Sequence, residues 1–295
     1  MLDVPHPPWS RIIYLADLAH FPYGPRPIDE VRRLALAGVT LLARRGADVV
    51  AVACNTASSS GLSGTVPGVR AASGAPVPLV DIIGPGAREV ARLAAARPGT
   101  RVIVLGTEGT IRSGVWEEAL RRARFHGPVT GWPCPFLANL IEEGVNGAVA
   151  RSHVHETTRG LVGLPEGPVV VVLGCTHYPF AAATIADVLS NDILGRPVST
   201  VDPSGALVAE LDARLRERSA PVPVPEGSGR VGGERPADAA TAGRPSEIRT
   251  VFLTTGRAAH FAARARQLLA DHPAGGSAAL ELDEVEEVTL EDLPT

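Results

Sequence analysis

Two cysteines in similar surroundings are the residues of this sequence best suited to chemistry. Cys54 follows the apolar run VVAVA, Cys175 follows VVVLG, and a small polar segment comes after each. A cysteine between a buried strand and a helix start lies among free backbone N–H groups, which favour the thiolate. Buried cysteines often serve only as small apolar side chains. The repeated context favours a pair of reactive thiols instead.

Two facing thiols could invert the configuration of a carbon that carries hydrogen. Inversion removes a proton from one face and delivers one to the other, so it needs an acid/base group on each side. Asn55, Thr56 and Thr176 are hydrogen-bonding residues that could stabilise the developing carbanion, and His177 could hold or deliver the proton of Cys175. The sequence contains no lysine, which excludes pyridoxal phosphate held as a Schiff base. We therefore expect chemistry without a cofactor.

The composition is typical of a globular protein with two domains. The chain has 295 residues, of which 45% are hydrophobic and 20% are charged. A net charge of −4 gives no basic field for nucleic acid or anionic lipid. The sequence has neither a membrane-spanning apolar stretch nor the pattern of a signal peptide, and its three widely spaced cysteines fit a reducing compartment. We expect a cytoplasmic protein with a small-molecule partner and no nucleic-acid or membrane partner.

The elements that must position the cysteines alternate between short apolar runs and amphipathic stretches, which predicts an α/β fold with mainly parallel strands. In such sheets the carboxyl ends of the strands face the ligand, so both thiols would face one cleft if two similar halves face each other. The predicted strands are Arg11–Ala16, Asp48–Ala53, Val77–Ile83, Arg101–Leu105, Pro168–Leu173, Val198–Val201 and Thr250–Leu253. The predicted helices are Ile28–Arg45, Pro85–Ala96, Arg112–Arg124, Phe180–Leu189, Ser204–Arg218 and Arg257–Ala270.

Several remaining segments have simpler interpretations. Ser219–Glu247 is rich in Pro and Gly without apolar periodicity, which indicates a flexible insertion. The acidic tail Leu280–Leu290 could form a late strand, but its charges favour a solvated end. Cys134 lies between two prolines and is expected to serve in packing. His153 and His155 lack a third metal ligand and predict a solvated helix face rather than a metal site.

Three strings in this order and spacing resemble the cofactor-independent glutamate racemases. They are DLAHFPYGPRP at 17–27, ACNTAS at 53–58 and GCTHYPF at 174–180, and the first and third are more typical of glutamate than of aspartate racemases. The resemblance implies two similar parallel-sheet domains around a cleft, one formed by residues 1–82 with 201–295 and the other by 83–200. Further similarity extends it over most of the chain outside the insertion, at DIIGPGA (81–87), GTEGTIRS (106–113), CPFLANLIEEG (134–144) and Phe252–Phe261.

The resemblance also implies an activity, the interconversion of L- and D-glutamate by two-base proton transfer, which supplies D-glutamate for bacterial peptidoglycan. It implies that Cys54 acts on the D enantiomer and Cys175 on the L enantiomer, with His177 and Glu142 supporting Cys175. No cofactor or metal is implied, and a homodimer is one assembly consistent with the family. Substrate contacts are implied for Pro22, Tyr23, Gly24, Asn55, Thr56, Thr107, Thr110 and Thr176, with Asp17 as a nearby orienting residue.

The sequence departs from the family at its beginning, where the usual first strand and Asp-Ser-Gly segment are not found. Either translation starts upstream, or the chain lacks a central strand and has an unpaired sheet edge with weak or no activity. Two other functions remain open, of which the departure motivates the first. One is a ligand-binding or regulatory protein without catalysis, and the other is a racemase for another amino acid or a hydantoin, which the PYG and GCTHYP strings disfavour.

Overall fold

The computed structural model describes residues 8–145, 147–219, 249–271, 282 and 284–290. Mostly parallel strands form three sheets, and helices connect most successive strands, which confirms the predicted α/β class. The strands are β1 Arg11–Ala16, β2 Val50–Val52, β3 Gly64–Arg70, β4 Pro76–Asp81, β5 Arg101–Gly106, β6 Val129–Pro133, β7 Val169–Gly174, β8 Val198–Val201, β9 Arg249–Thr254 and β10 Val285–Glu287. The helices are α1 Ile28–Arg44, α2 Asn55–Ser58, α3 Ile83–Ala95, α4 Glu108–Arg112, α5 Val115–Arg122, α6 Leu137–Glu142, α7 Gly147–Thr158, α8 Ala182–Asp187, α9 Ser204–Ser219 and α10 Ala258–Asp271.

Two three-stranded sheets carry the early and late parts of the chain. One has the order β1-β9-β10 with all strands parallel, and the other has the order β2-β4-β3 with β3 antiparallel. β1 and β9 pair in register from Arg11 with Arg249 to Ala16 with Thr254, so their carboxyl ends lie at the same edge. Within the described ranges no strand pairs with the second edge of β1 or of β2, and the two sheets therefore remain separate.

The third sheet has the order β6-β5-β7-β8 and is parallel throughout. β7 is buried along its whole length because both faces of this sheet are covered, as its continuous apolar run predicts. Alternate side chains enter two cores: Val171 and Leu173 pack with α6, α7 and α8, whereas Val170 and Val172 pack with α3, α5 and α9. The end of β7, where Cys175 follows, is thus held from both sides.

Two predictions about local structure were wrong, and the prediction for the acidic tail was right in part. The predicted helix Arg112–Arg124 is interrupted by Gly114, whose φ of +65° separates α4 from α5 in a conformation that glycine adopts without strain. In the acidic tail, Val285–Glu287 pairs with β9, although Glu286 and Glu287 remain exposed as the charge pattern predicts. His153 is half-buried with Nε2 2.6 Å from the carbonyl oxygen of Pro135, so only His155 lies on the exposed face.

Other predictions fall partly outside the described residues. α9 ends at Ser219, and positions 220–247 of the predicted insertion lie outside the described ranges, as do positions 280, 281 and 283 of the tail. Cys134 is buried in the core beside β7, as its packing role predicts. Of the helices that the structure describes, none combines the length and apolar character needed to cross a membrane.

Candidate active site

Cys54 lies at the carboxyl end of β2 and caps the short helix α2. Its Sγ accepts a hydrogen bond from the backbone N–H of Ala57 at 3.5 Å. The expectation that such N–H groups favour the thiolate was wrong in its net effect. Withdrawal from water raises the pKa of Cys54 to about 11 and outweighs the backbone hydrogen bonds, and the nearby charge of Cys175 raises it further. Cys54 is therefore a protonated thiol at neutral pH.

Cys175 lies at the carboxyl end of β7, with a histidine and a glutamate aligned behind it. Its Sγ is 3.9 Å from Nδ1 of His177, and Nε2 of His177 is 3.1 Å from Oε2 of Glu142. Burial disfavours the charged imidazole, but the hydrogen bonds to Cys175 and Glu142 outweigh it and raise the pKa of His177 to about 9. The hydrogen bond from His177 lowers the pKa of Glu142. The structure therefore places a protonated imidazole between the sulfur of Cys175 and the carboxylate of Glu142.

Three threonine hydroxyls connect the first turn of α2 to the first turn of α4, and we call them the threonine cluster. Thr56 Oγ1 lies 2.9 Å from Thr107 Oγ1 and 3.2 Å from Thr110 Oγ1, and the last two are 3.0 Å apart. Thr107 also caps α4 by accepting from the N–H of Thr110. The cluster joins the end of β2 to the end of β5, on two different sheets.

Asn55 provides a second link between the same parts of the chain. It is 2% exposed, and its Oδ1 accepts a hydrogen bond of 3.1 Å from Nε1 of the buried Trp116 on α5. Its Nδ2 is buried and finds no acceptor in the part of the chain that the structure describes. A buried amide donor without a partner is costly, and it therefore indicates a place where a bound anion or carbonyl would be stabilised.

The loop between β1 and α1 closes over both cysteine segments. Tyr23 donates a hydrogen bond of 2.5 Å to Asp17 Oδ2, and Thr255 after β9 donates one of 2.5 Å to Asp17 Oδ1. The carbonyl oxygen of Gly24 accepts from Gly109 N–H at 3.0 Å, and a Cβ on Gly24 would lie 2.8 Å from Thr107 Cβ. This close approach requires glycine at position 24.

The structure brings nearly all the residues predicted for the site to one place. Pro22 lies in the same loop, following a cis peptide bond, and Asp17 accepts a hydrogen bond from Tyr23. Thr176 is exposed, and no hydrogen bond of its side chain occurs within the described ranges. Those ranges also contain no group of three or more His, Cys, Asp or Glu side chains arranged to hold a metal.

Five residues in or beside this group were not predicted from the sequence. Phe21 places its ring 5.3 Å from that of His177. The half-exposed Tyr14 on β1 has a raised pKa, chiefly because of partial desolvation and also because of the charge of Glu142. Trp116 donates a hydrogen bond to Asn55, Thr255 donates one to Asp17, and Arg264 donates one to the carbonyl oxygen of Ile141, next to Glu142. Their partners lie from 61 to 238 residues away in the chain, and no local pattern marks such contacts.

Comparison with known proteins identifies the family of this chain. Residues 6–211 match the family model of Asp/Glu/Hydantoin racemases. A glutamate racemase of Symbiobacterium thermophilum is 35% identical over 212 residues, covering 72% of this chain and 71% of that protein. One of Geobacter metallireducens is 36% identical over 207 residues, covering 69% and 71%.

The crystal structure of glutamate racemase from Thermus thermophilus, in complex with beta-chloro-D-alanine, has the same fold. It matches with a TM-score of 0.65 and 28% identity, covering 97% of this chain and 90% of that chain. The family match spans more than half of the chain, and it includes both cysteines and the threonine cluster. This chain therefore belongs to the Asp/Glu/Hydantoin racemase family.

Proposed function

We propose that this chain is a cofactor-independent glutamate racemase that interconverts L- and D-glutamate by two-base proton transfer. One observation carries the proposal: Cys54 and Cys175 follow strands of different sheets, and the threonine cluster joins the helix that Cys54 caps to the end of β5, the strand paired with β7 before Cys175. Family membership and the two glutamate racemase relatives support glutamate as the substrate. The reaction would supply D-glutamate for bacterial peptidoglycan.

Each half of the reaction uses one thiol as base and the other as acid. With L-glutamate bound, the Cys175 thiolate removes the α-proton, so the Cα–H bond breaks, an S–H bond forms and the electron pair stays on the substrate. Cys54, which carries a proton at neutral pH, then gives that proton to the opposite face of Cα. This leaves Cys54 as the thiolate that starts the reverse reaction on D-glutamate.

The polar groups beside the thiols are suited to hold the substrate and stabilise its carbanion. We assign Asn55 Nδ2 and the threonine cluster to the α-carboxylate, because they offer donors next to Cys54. The exposed hydroxyl of Thr176 is available on the Cys175 side. Pro22, Tyr23 and Gly24 would line the pocket from the loop that Asp17 and Thr255 hold.

Trp116→Phe tests the support of Asn55. The substitution removes the donor to Asn55 Oδ1 while keeping an aromatic ring at a buried position. We expect a loss of about 1–2 kcal/mol in the free energy of unfolding, measured by urea denaturation. The KM for glutamate should rise several-fold, because the Asn55 amide is no longer fixed.

Trp132→Phe is the matched control for this prediction. Trp132 Nε1 donates to the carbonyl oxygen of Thr157 at 2.8 Å, between β6 and α7. Its replacement should cost comparable stability and leave the KM for glutamate unchanged. An unchanged KM in Trp116→Phe would contradict the assigned role of Asn55.

The His177–Glu142 pair predicts how stability depends on pH. The folded-state pKa of His177, about 9, lies above its ordinary 6.5, so its contribution is complete below pH 6.5 and is lost as the pH rises through 9. Glu142 has a lowered pKa, so its contribution is present above its ordinary 4.5 and is lost at lower pH. Wild type should therefore exceed His177→Gln most strongly between pH 4.5 and 6.5.

Thermal unfolding followed by circular dichroism checks this window. We expect a difference on the order of 1–3 kcal/mol near pH 6 that disappears above pH 9. His155→Gln, on the exposed face of α7, is the matched control because it makes the same chemical change outside the His177–Glu142 pair. A constant gap between wild type and His177→Gln from pH 6 to 10 would contradict the ion pair.

Circular dichroism of the two glutamate enantiomers tests the proposed function directly. The purified chain is incubated separately with L- and D-glutamate, with a thiol reductant and without added cofactor. Both signals should decay to zero as the racemic mixture forms. A folded protein that leaves both signals unchanged would overturn the assignment and favour a ligand-binding role, whereas decay with aspartate or a hydantoin alone would favour another substrate.

The proposal also includes the domain arrangement, the cellular location and the oligomeric state. Residues 1–82 with 201–295 would form one domain and residues 83–200 the other, with substrate between them. Closure of the domains would exclude water from the carbanion. A cytoplasmic location and a homodimer complete the proposal, and size-exclusion chromatography with light scattering tests the homodimer.

A further inference from the structure

Arg264 is a buried arginine that joins α10 to the end of α6. It is 9% exposed, and its Nη2 donates a hydrogen bond to the carbonyl oxygen of Ile141, the residue before Glu142. Its Nη1 donates to Gln267 Oε1 at 2.6 Å, and its Nε has no acceptor among the residues that the structure describes. Burying a guanidinium without a complete set of partners is unfavourable. The contact with Ile141 indicates that Arg264 has a function at the end of α6 that offsets this cost.

The end of α6 is shaped to receive this side chain. Gly144, with φ of +78°, turns the chain directly after the helix, and a Cβ there would lie 3.0 Å from Arg264 Nη1. The carbonyl groups in the last turn of a helix lack helical partners and carry partial negative charge. Arg264 therefore neutralises the end of α6 and fixes it against α10, a helix that begins more than 110 residues later.

Glu142 is the last residue of α6 and has cations on both sides. His177 hydrogen-bonds it from the segment after β7, and Arg264 and His260 of α10 lower its pKa through their charges. Tyr14 on β1 also feels the charge of Glu142. His177 in turn meets Cys175 and Glu142. Arg264 is thus connected to Cys175 through three successive contacts. It binds the carbonyl oxygen next to Glu142, Glu142 binds His177, and His177 lies against Cys175 Sγ.

We propose that Arg264 is a positioning residue for the Cys175 half of the site, acting by holding the end of α6 so that Glu142 keeps the His177 ring against Cys175 Sγ. The inference rests on the proposed racemase function, in which Cys175 acts on L-glutamate. Arg264 itself touches no reacting atom. Its loss should leave both thiols in place and impair the histidine that supports one of them.

Arg264→Met tests this role, because methionine keeps much of the length and apolar packing while removing the charge and the donors. We expect kcat/KM to fall by about 10- to 100-fold, since small displacements of a supporting group have effects of this size. Arg264→Lys, which keeps the charge, should recover part of the loss. Arg122→Met on α5 is the control, because Arg122 is exposed and its only ion pair within the described ranges is with Glu118; it should behave as wild type.

The titration of His177, followed by NMR of the histidine ring, separates positioning from a purely structural role. If Arg264 holds Glu142 in place, its loss weakens the hydrogen bond that raises the pKa of His177, and this pKa should fall in Arg264→Met. Removing the positive charge of Arg264 without moving Glu142 would instead raise it. The alkaline limb of the pH–rate profile should shift in the same direction as the titration.

A double-mutant cycle with Glu142→Gln completes the test. If Arg264 acts through Glu142, the double variant should be no worse than Glu142→Gln alone. Independent, additive losses, or a folded Arg264→Met with wild-type kcat/KM and an unchanged His177 titration, would overturn the inference. If Arg264→Met fails to fold, Arg264→Lys carries the same measurements. A wild-type chain that does not racemise glutamate would refute the proposed function, while the His177 titration would still decide whether Arg264 positions that residue.

Discussion

Replacing Cys54 or Cys175 by alanine should reduce racemisation of glutamate by roughly 10²- to 10⁴-fold in both directions. Each thiol is the base for one enantiomer and the acid for the other, so removing either one interrupts both reactions. The measurement is the decay of the circular dichroism signal, started separately from each enantiomer. A folded single variant that racemises at the wild-type rate would contradict the two-thiol mechanism.

Hydrogen exchange at Cα in deuterated water distinguishes the two cysteines. Cys54→Ala keeps the base that faces L-glutamate, so slow exchange of the α-hydrogen should persist for the L enantiomer only. Cys175→Ala should show the opposite preference. If the preferences are reversed, the cysteines act on the other faces of the substrate from those assigned to them.

Cys134→Ala is the matched control for these variants, because it makes the same chemical change at the remaining cysteine. Cys134 is buried in the core with its Sγ 3.1 Å from Thr157 Oγ1, and it is not part of the proposed proton path. Its replacement should lower stability through lost packing and leave turnover close to that of wild type. This separates loss of a thiol in general from loss of the two thiols that face the substrate.

Gly109→Ala should have the second largest effect, through sterics at the junction of three site segments. A Cβ at this position would lie 2.8 Å from the carbonyl oxygen of Gly24 and 3.3 Å from Thr56 Cγ2. Neither the backbone of Gly24 nor the buried Thr56 can yield easily, so α4 must move away with Thr107 and Thr110. We expect a destabilisation of about 1–3 kcal/mol and a fall in kcat/KM of about 100-fold.

Gly205→Ala makes the same change where there is room for it. Apart from its chain neighbours and the backbone of its own helix, no atom lies within 4 Å of a Cβ at Gly205, which occupies the first turn of α9. This variant should retain full activity and be unchanged or up to about 1 kcal/mol more stable. Urea denaturation and steady-state kinetics of both variants check the prediction. Equal behaviour of the two alanines would show that the contact at Gly109 does not hold the site together.

The elements that local pattern revealed are those with strong apolar runs. β1 has the predicted bounds, and β7 extends by one residue past its predicted end and begins one residue later. β3 and β6 escaped prediction because GTVPGVR and VTGWP contain glycine and proline, which weaken a strand pattern. α4 and α6 are short and derive their stability from tertiary contacts rather than from periodicity.

The site shows a similar division. Both cysteines could be found because each follows a buried strand, and that local context is visible in the sequence. The protonation of Cys54 could not be predicted, because burial by distant segments outweighs the local backbone donors. Trp116 and Arg264 could not be found either, since their roles arise only when α5 and α10 meet residues 61 and 123 positions away.

The pairing of β1 with β9 has a consequence for how the protein becomes active during synthesis. Asp17 accepts a hydrogen bond from Thr255, which is synthesised 238 residues later, and the carbonyl oxygen of Ile141 accepts one from Arg264. Neither bond can form until these late residues have been translated. A nascent chain that ends at α9 already contains both cysteines, the threonine cluster and all four strands of the β6-β5-β7-β8 sheet. It still lacks β9 and α10, so β1 cannot pair with β9 and the end of α6 lacks its contact with Arg264. Ribosome-bound chains of this length should therefore be inactive although both cysteines have been translated. Activity should begin only after β9 has paired with β1 and α10 has packed beside it.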